Sequence, residues 1–428
     1  ILLGIAVQRG ALTLEERDHL LHQVEQDVVR HVLYDNFLQA QILSQEADPS
    51  SSRMEAYEDL MRSLEDGGHL DRALEALPRT DEMAERRRAG IGMARPELAV
   101  LLAYAKIALT NALLDSPLPD SEYLAADLRG YFPPAVVERF GDLLSEHPLR
   151  RELVSTIVAN DVVNSQGITF VSRLVTETGA EPSDVVRAYR IARDVTDAVE
   201  RWEAIEALVG SVEPAILGEL MPGVDRMVET TARWYLAHLP GKLGSAIEAH
   251  REPFRRFIDV VERVVPGGWS EDRERIAHRL TDQGVPQTLA RRHVLQPLLV
   301  HGPNVIVVAS ATGRSVEDTA RAFFAVGEAL YIDWLEGRLS DLRATSRWQR
   351  WAVQAMEDDL LLVRRQVAER VLSEADDGPI EQAIARFADA RTEVVARLAR
   401  FMRALALEDV GDLAAMTVAV RQIRSLTA

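Results

Sequence analysis

Apolar residues in this chain return every three to four positions almost from end to end, and the two-residue alternation of a half-buried strand is nearly missing. A backbone with that pattern exposes one apolar stripe per helix and can bury it only by packing helix on helix. In "RDHLLHQVEQDVVRHVLYDNFLQAQIL" the residues Leu21, Val24, Val28, Leu33 and Phe37 keep nearly one stripe, with acids and glutamines opposite. The pattern recurs in "SSRMEAYEDLMRSLED", "VDRMVETTARWYLAHL", "PFRRFIDVVERVV" and "EQAIARFADARTEVVARLARFMRAL". Turn segments such as "DSPLPDS" and "YFPP" cut the runs into blocks. "QEADPSSSRMEAYE", Gln45 to Glu58, reads as a loop followed by a serine-capped helix. The expected fold class is all-α, a multi-helix bundle or an irregular helical solenoid, and 428 residues supply roughly two to four domains or subdomains.

Two segments compete for strand, "ILLGIAV" from Ile1 and "NVIVVASA" from Asn304 to Ala311. The second is read as helix because of an internal echo. "TGAEPSDVVRAY", Thr178 to Tyr189, aligns without gaps on "TGRSVEDTARAF", Thr312 to Phe323, and each follows an apolar segment. The shared pattern is helix, glycine stop, helix. Gly179 and Gly313 take the left-handed position, Ser315 caps the later second helix, and Pro182 opens the earlier one. The stripes Val185, Ala188, Tyr189, Ala192 and Thr319, Ala322, Phe323, Val326 are the expected buried faces, which makes a helix-hairpin duplication the reading of this region.

Composition removes several classes of function. A formal net charge of -18 opposes the basic face that nucleic acid needs. Without cysteine there is no disulfide, thiolate nucleophile or sulfur-ligated metal, and a reducing compartment fits. Only Lys106 and Lys242 are lysines, a thin supply for chemistry that needs an amine of tunable pKa. The apolar runs "LAVLLAYAKIAL" and "NVIVVASA" look too short or too interrupted for a hydrocarbon core of about 20 residues. A soluble protein is expected. The first residue is Ile, no secretory signal follows it, and the expectation is that the chain begins inside something longer.

The most suggestive local motif is "RAGIGMARPELAVLLAYAKIAL", where Gly90 and Gly92 open onto Arg95 and a long apolar run. A phosphate loop needs a preceding strand and a following lysine, and neither is present; the dinucleotide fingerprint G-x-G-x-x-G also fails. Pro96 and Glu97 instead suit the first turn of a helix starting near Arg95 and ending near Leu114, with Leu98, Leu101, Leu102, Ala105 and Leu109 buried. The ten histidines contain no H-E-x-x-H pair; His19 and His22 stand at i, i+3 without a companion carboxylate signature. No G-x-S-x-G elbow occurs. In "NDVVNSQG", Asn160, Asn164 and Gly167 share roughly one helical face. Asparagine lowers helix propensity, so these two side chains are expected to hydrogen-bond either a neighbouring helix or a ligand.

"GIGMARPELAVLLAYAKIALTNALLDSPLPD", "LDRALEALP", "VANDVVNSQGITFVSRLVTETG" and "FFAVGEALYIDWL" together resemble the C-terminal region of the large, single-chain bacterial NAD-dependent glutamate dehydrogenases. The likeness covers nearly the whole chain in family order. It implies a parent enzyme that oxidises L-glutamate with NAD and water to 2-oxoglutarate, ammonia and NADH. It also implies that the substrate and catalytic residues and the NAD site lie upstream of Ile1, so no catalytic, cofactor or metal residue is assigned here. On this resemblance residues 1–10 are the end of the catalytic α/β domain, 11–150 a first helical subdomain and 151–428 a second. The implied setting is a cytoplasmic homo-oligomer in which the upstream catalytic domain is the partner, without nucleic acid or membrane. The isolated chain is expected to be inactive and its role structural or regulatory. The alternative is a free-standing helical scaffold that binds a protein partner.

Overall fold

The periodicity becomes helices throughout. The computed structural model describes residues 1–47, 53–238, 241–265, 270–344, 346–375, 379–407 and 412–426, and among these there is no strand. In chain order the helices are α1 (Leu2–Gln8), α2 (Leu14–Glu46), α3 (Met54–Asp66), α4 (Thr80–Ala89), α5 (Arg95–Leu114), α6 (Glu122–Ala125), α7 (Asp127–Tyr131), α8 (Pro134–Phe140), α9 (Arg150–Gln166), α10 (Phe170–Thr178), α11 (Pro182–Val195) and α12 (Ala198–Glu206). They continue as α13 (Pro214–His238), α14 (Leu243–Val264), α15 (Ser270–Asp282), α16 (Gln287–Leu299), α17 (Gly302–Thr312), α18 (Val316–Ala329), α19 (Ile332–Ser340), α20 (Arg347–Glu374), α21 (Ile380–Asp389), α22 (Thr392–Leu407) and α23 (Leu413–Arg424). Two compact units result, one of Ile1–Ile191 with Tyr235–Ala246 and one of Ala192–Trp234 with Ile247–Ala428.

The first unit is built on α5 packed against α9. Leu98, Leu101, Leu102, Ala105, Leu109 and Leu113 of α5 are buried, as are Val154, Val158, Ala159 and Val162 of α9. Each such leucine or valine contributes about 2 kcal/mol by leaving water. By length and composition alone the 20-residue α5 could cross a membrane, and here its stripe is spent on packing inside the unit. "ILLGIAV" is helical, and Leu2, Leu3 and Ala6 of α1 are buried against α2, α8 and the 3-10 turn Gly141–Glu146. Thr13 starts α2 with a full capping box, its hydroxyl accepting from Glu16 N–H and Glu16 accepting from Thr13 N–H. The serines expected to cap α3 lie outside the described residues.

In the second unit α20 is central and meets α17, α18, α19, α21 and α23. Leu360, Val363, Val367 and Val371 of α20 join Leu335, Phe387, Met402, Met416 and Ile423 in one core. Helices here run through residues that read as punctuation. Pro222 lies inside α13, Pro253 inside α14 and Pro297 inside α16. Proline deletes one backbone hydrogen bond, but its flanks, Leu220 and Val224 in α13 and Phe254 and Phe257 in α14, are fully buried, and packing outweighs the local loss.

The two echoing segments have matching geometry. "NVIVVASA" lies within helix α17. Gly179 closes α10 at φ 70° and Gly313 closes α17 at φ 67°, both left-handed. Ser315 Oγ accepts from Asp318 N–H at 3.0 Å, and α11 begins at Pro182. Val185, Ala188, Tyr189 and Ala192 are buried, and so are Thr319, Ala322, Phe323 and Val326. Arg187 and Arg321 both stay on the outer side, pairing with Asp184 and Glu317 one turn earlier. At the same sequence separation the correspondence continues: Asp197 and Tyr331 are both left-handed non-glycine residues, and α12 and α19, which start after them, have equal length.

A Cβ at either Gly179 or Gly313 would meet open space, so only the left-handed backbone penalises a side chain there. Gly179→Ala and Gly313→Ala are each expected to cost about 1 kcal/mol. Urea unfolding of the two variants checks this; a cost at one turn with none at the other would show that the turns are not equivalent.

Candidate functional site

The glycines that open "GIGMARPEL" lead into a helix end filled by the chain's own charges. Gly90 closes α4 in the left-handed conformation at φ 69°, and α5 begins at Arg95. Glu97 reaches back to accept the Ala94 N–H at 2.6 Å and is gripped by Arg86 through 2.8 and 3.0 Å bonds. A carboxylate therefore stands where a phosphate would have to sit on the positive helix end. No strand precedes it, and these residues do not fit a dinucleotide.

"NDVVNSQG" carries a buried polar anchor that the sequence did not reveal. Asn160 and Asn164 are half-buried, and Asn164 Oδ1 is enclosed without a hydrogen-bond partner among the described residues. Gly167, at φ 94°, lets the backbone pass against Glu46; a Cβ there would collide with the carboxylate. Glu46, 2 % exposed, accepts from Ile168 N–H at 3.1 Å, from Arg53 at 2.7 Å and from the Tyr57 hydroxyl. Burial, reinforced by that carboxylate, pushes the Tyr57 hydroxyl pKa upward. The end of α2, the start of α3 and the turn between α9 and α10 are thus tied through one side chain. Close by in sequence, Asp161 and Asp127 pair with buried Arg190, Asp127 in bidentate fashion at 2.8 and 3.1 Å.

The two lysines and most histidines do not converge. Lys106 is lowered by burial, with Asp35 opposing, and Lys242 is exposed. His19, His22 and His31 lie on the exposed side of α2, and among the described residues no group of three or more histidines and carboxylates is placed to hold a metal ion. His301 is the exception. It is buried beside Phe323 and Phe324, at ring distances of 5.6 and 5.7 Å, with Nε2 3.9 Å from Glu336.

Around it lies the most strongly perturbed cluster in the second unit. Arg364 has no exposed surface; its Nε donates to the Phe323 carbonyl at 3.0 Å, Nη1 approaches Glu336 at 3.2 Å and Nη2 approaches Asp333 at 2.7 Å. The guanidinium also lies over the Phe323 ring at 4.6 Å. Burial pushes the Glu336 carboxyl up to about 7, with Arg364 pulling the other way and Asp333 adding to the rise. Burial, with the charges of Arg364 and Arg273, holds His301 well below the usual imidazole range. A carboxyl poised near neutral is the protonation range of an acid–base group. Its facing groups, however, are side chains of the same unit, and the cluster's evident work is to join α18, α19 and α20. No motif marks Glu336 or Arg364 in the sequence; the only signal was a charged residue falling on an apolar helix stripe.

Comparison with known proteins follows the helical core. A family model described as "Glutamate dehydrogenase, C-terminal" matches residues 90–425. The chain is similar to the NAD-specific glutamate dehydrogenase of Pseudomonas aeruginosa, 36% identical over 430 residues, covering 100% of this chain and 26% of that protein. The enzyme of the same name from Halomonas elongata is 33% identical over 386 residues, 90% of this chain and 24% of its own length. That from Mycobacterium tuberculosis is 32% identical over 436 residues, 100% and 26%. The chain spans about a quarter of the length of these curated relatives.

The Glu336 shift has a sign. Its folded pKa lies above the usual carboxyl value of 4.5, so its contribution to stability is fully present below about pH 4.5 and is lost as pH rises through about 7. Glu336→Gln cannot ionise. It is expected to match the parent near pH 4.5 and to become more stable than the parent by on the order of 2 kcal/mol at pH 8. Urea unfolding across that range tests it; a stability difference independent of pH contradicts the shift.

Proposed function

The chain belongs to the glutamate dehydrogenase C-terminal family, and from that premise we propose that it is the helical C-terminal part of an NAD-dependent glutamate dehydrogenase, with a structural role. The parent enzyme oxidises L-glutamate with NAD and water, giving 2-oxoglutarate, ammonia and NADH. The residues that bind NAD and glutamate lie in the part of the parent outside these 428. The observation that carries the reading is the match along the whole chain to NAD-specific glutamate dehydrogenases of which it spans about a quarter. The site geometry supports the division of labour. Hydride transfer needs a cofactor cradle and a positioned base, whereas the glycine-rich turn here is filled by Glu97 and Arg86, and the buried charges pair with one another. Within this reading the enzyme is a cytoplasmic homo-oligomer, and the catalytic part of the same chain is the immediate partner of the helical part.

The purified 428-residue chain is expected to form no NADH above blank with millimolar glutamate and NAD, while the complete parent enzyme does. Absorbance at the reduced nicotinamide band is the measurement. Steady turnover by the chain alone would place a catalytic centre in it and overturn the assignment.

A further inference from the structure

The longest described helix, α2, is packed near its two ends and leaves much of its apolar surface between them uncovered. Of the stripe expected to be its buried face, Val24 alone is buried; Leu21, Val28, Leu33 and Phe37 are 51, 46, 61 and 40 % exposed. Leu20, Val24, Ile42 and Glu46 form the face that packs, and between Val24 and Ile42 no residue of α2 is buried. Leu21, Val28, Val29, Val32, Leu33 and Phe37, which wrap from the edge of that face round to the opposite side, form an exposed apolar surface more than four turns long. Isolated helix is marginal in water, and most helical stability comes from packing an apolar face. A contiguous exposed patch of this kind marks an interaction surface.

We propose that this outer face of α2 is the seat on which the preceding, catalytic part of the parent enzyme docks. The proposal rests on the functional reading above. The family is one of C-terminal portions and the relatives are about four times as long, so the remaining chain enters through Ile1. It enters beside the helix that carries the patch, because α1 packs against α2. Tethering raises the effective concentration of that partner far above that of any free protein. Charge argues against a second copy. Glu15 and Glu25 stand exposed on this surface, while Arg17 and Arg30 are paired with Asp18 and Asp27. Two such faces would bring acid against acid in chains of net charge -18 each. The complementary surface is apolar at its centre and neutral or basic at its edge.

Hydrogen exchange of the backbone amides of residues 25–37 tests this, compared between the 428-residue chain and the complete parent chain. Exchange is expected to be at least about tenfold slower in the complete chain. Equal rates overturn the proposal. So does slow exchange in the 428-residue chain that appears with dimerisation at rising concentration in the ultracentrifuge, since a second copy then covers the face. Val32→Asp gives a second readout. It is expected to leave the melting temperature of the 428-residue chain unchanged and to abolish the added protection in the complete chain; loss of stability in the short chain would show that the face belongs to its own core. None of these readouts is activity. A complete chain that protects α2 yet does not oxidise glutamate refutes the functional reading and leaves the docking standing.

Discussion

A guanidinium with no surface in water must find all its partners inside the protein, and the second unit is arranged round that demand. Arg364 projects from the central helix α20 and is met by the Phe323 carbonyl and ring from α18 and by Asp333 and Glu336 from α19. Removing Asp333, whose carboxylate lies nearest the guanidinium, leaves a buried charge poorly compensated, which costs more than the intact pair contributes. The cluster therefore fixes how these helices meet as well as how tightly. Gly327 on α18 is part of the same constraint, because a Cβ there would run into the guanidinium.

The first unit solves the same problem with a carboxylate. Glu46 at the end of α2 collects a backbone N–H from the α9–α10 turn, a guanidinium and a phenol, and Gly167 gives it room. Glu97 does so on a smaller scale at the start of α5. Three of the four stretches that carry the family resemblance hold one of these devices: Glu97 in "GIGMARPEL", Gly167 in "NDVVNSQG", Phe323 to Asp333 in "FFAVGEALYIDWL". What looks like a motif for chemistry is here a motif for packing charge in a dry interior.

Helix, glycine stop and cap were legible because each is decided within a few residues, as at Gly179, Gly313 and Ser315. The buried stripe of α5 was legible for the same reason. Prolines misled where tertiary burial outweighs a local rule, so α13 and α14 start earlier than their sequence blocks. The stripe read on α2 is apolar as expected, yet Leu21, Val28, Leu33 and Phe37 stay exposed, because only the positions of α5, α8 and α9 decide which part of it is covered. The Glu336 and Arg364 cluster was invisible because its members come from separate helices and each, taken alone, reads as a solvated charge.

Glu336 and His301 have one more consequence when taken as a pair. Burial favours the neutral form of both, raising the carboxyl to about 7 and lowering the imidazole well below its usual range. The carboxyl's shift makes folding take up protons and the histidine's makes it release them. Two groups whose separate titrations pull stability in opposite directions thus offset one another inside one unit.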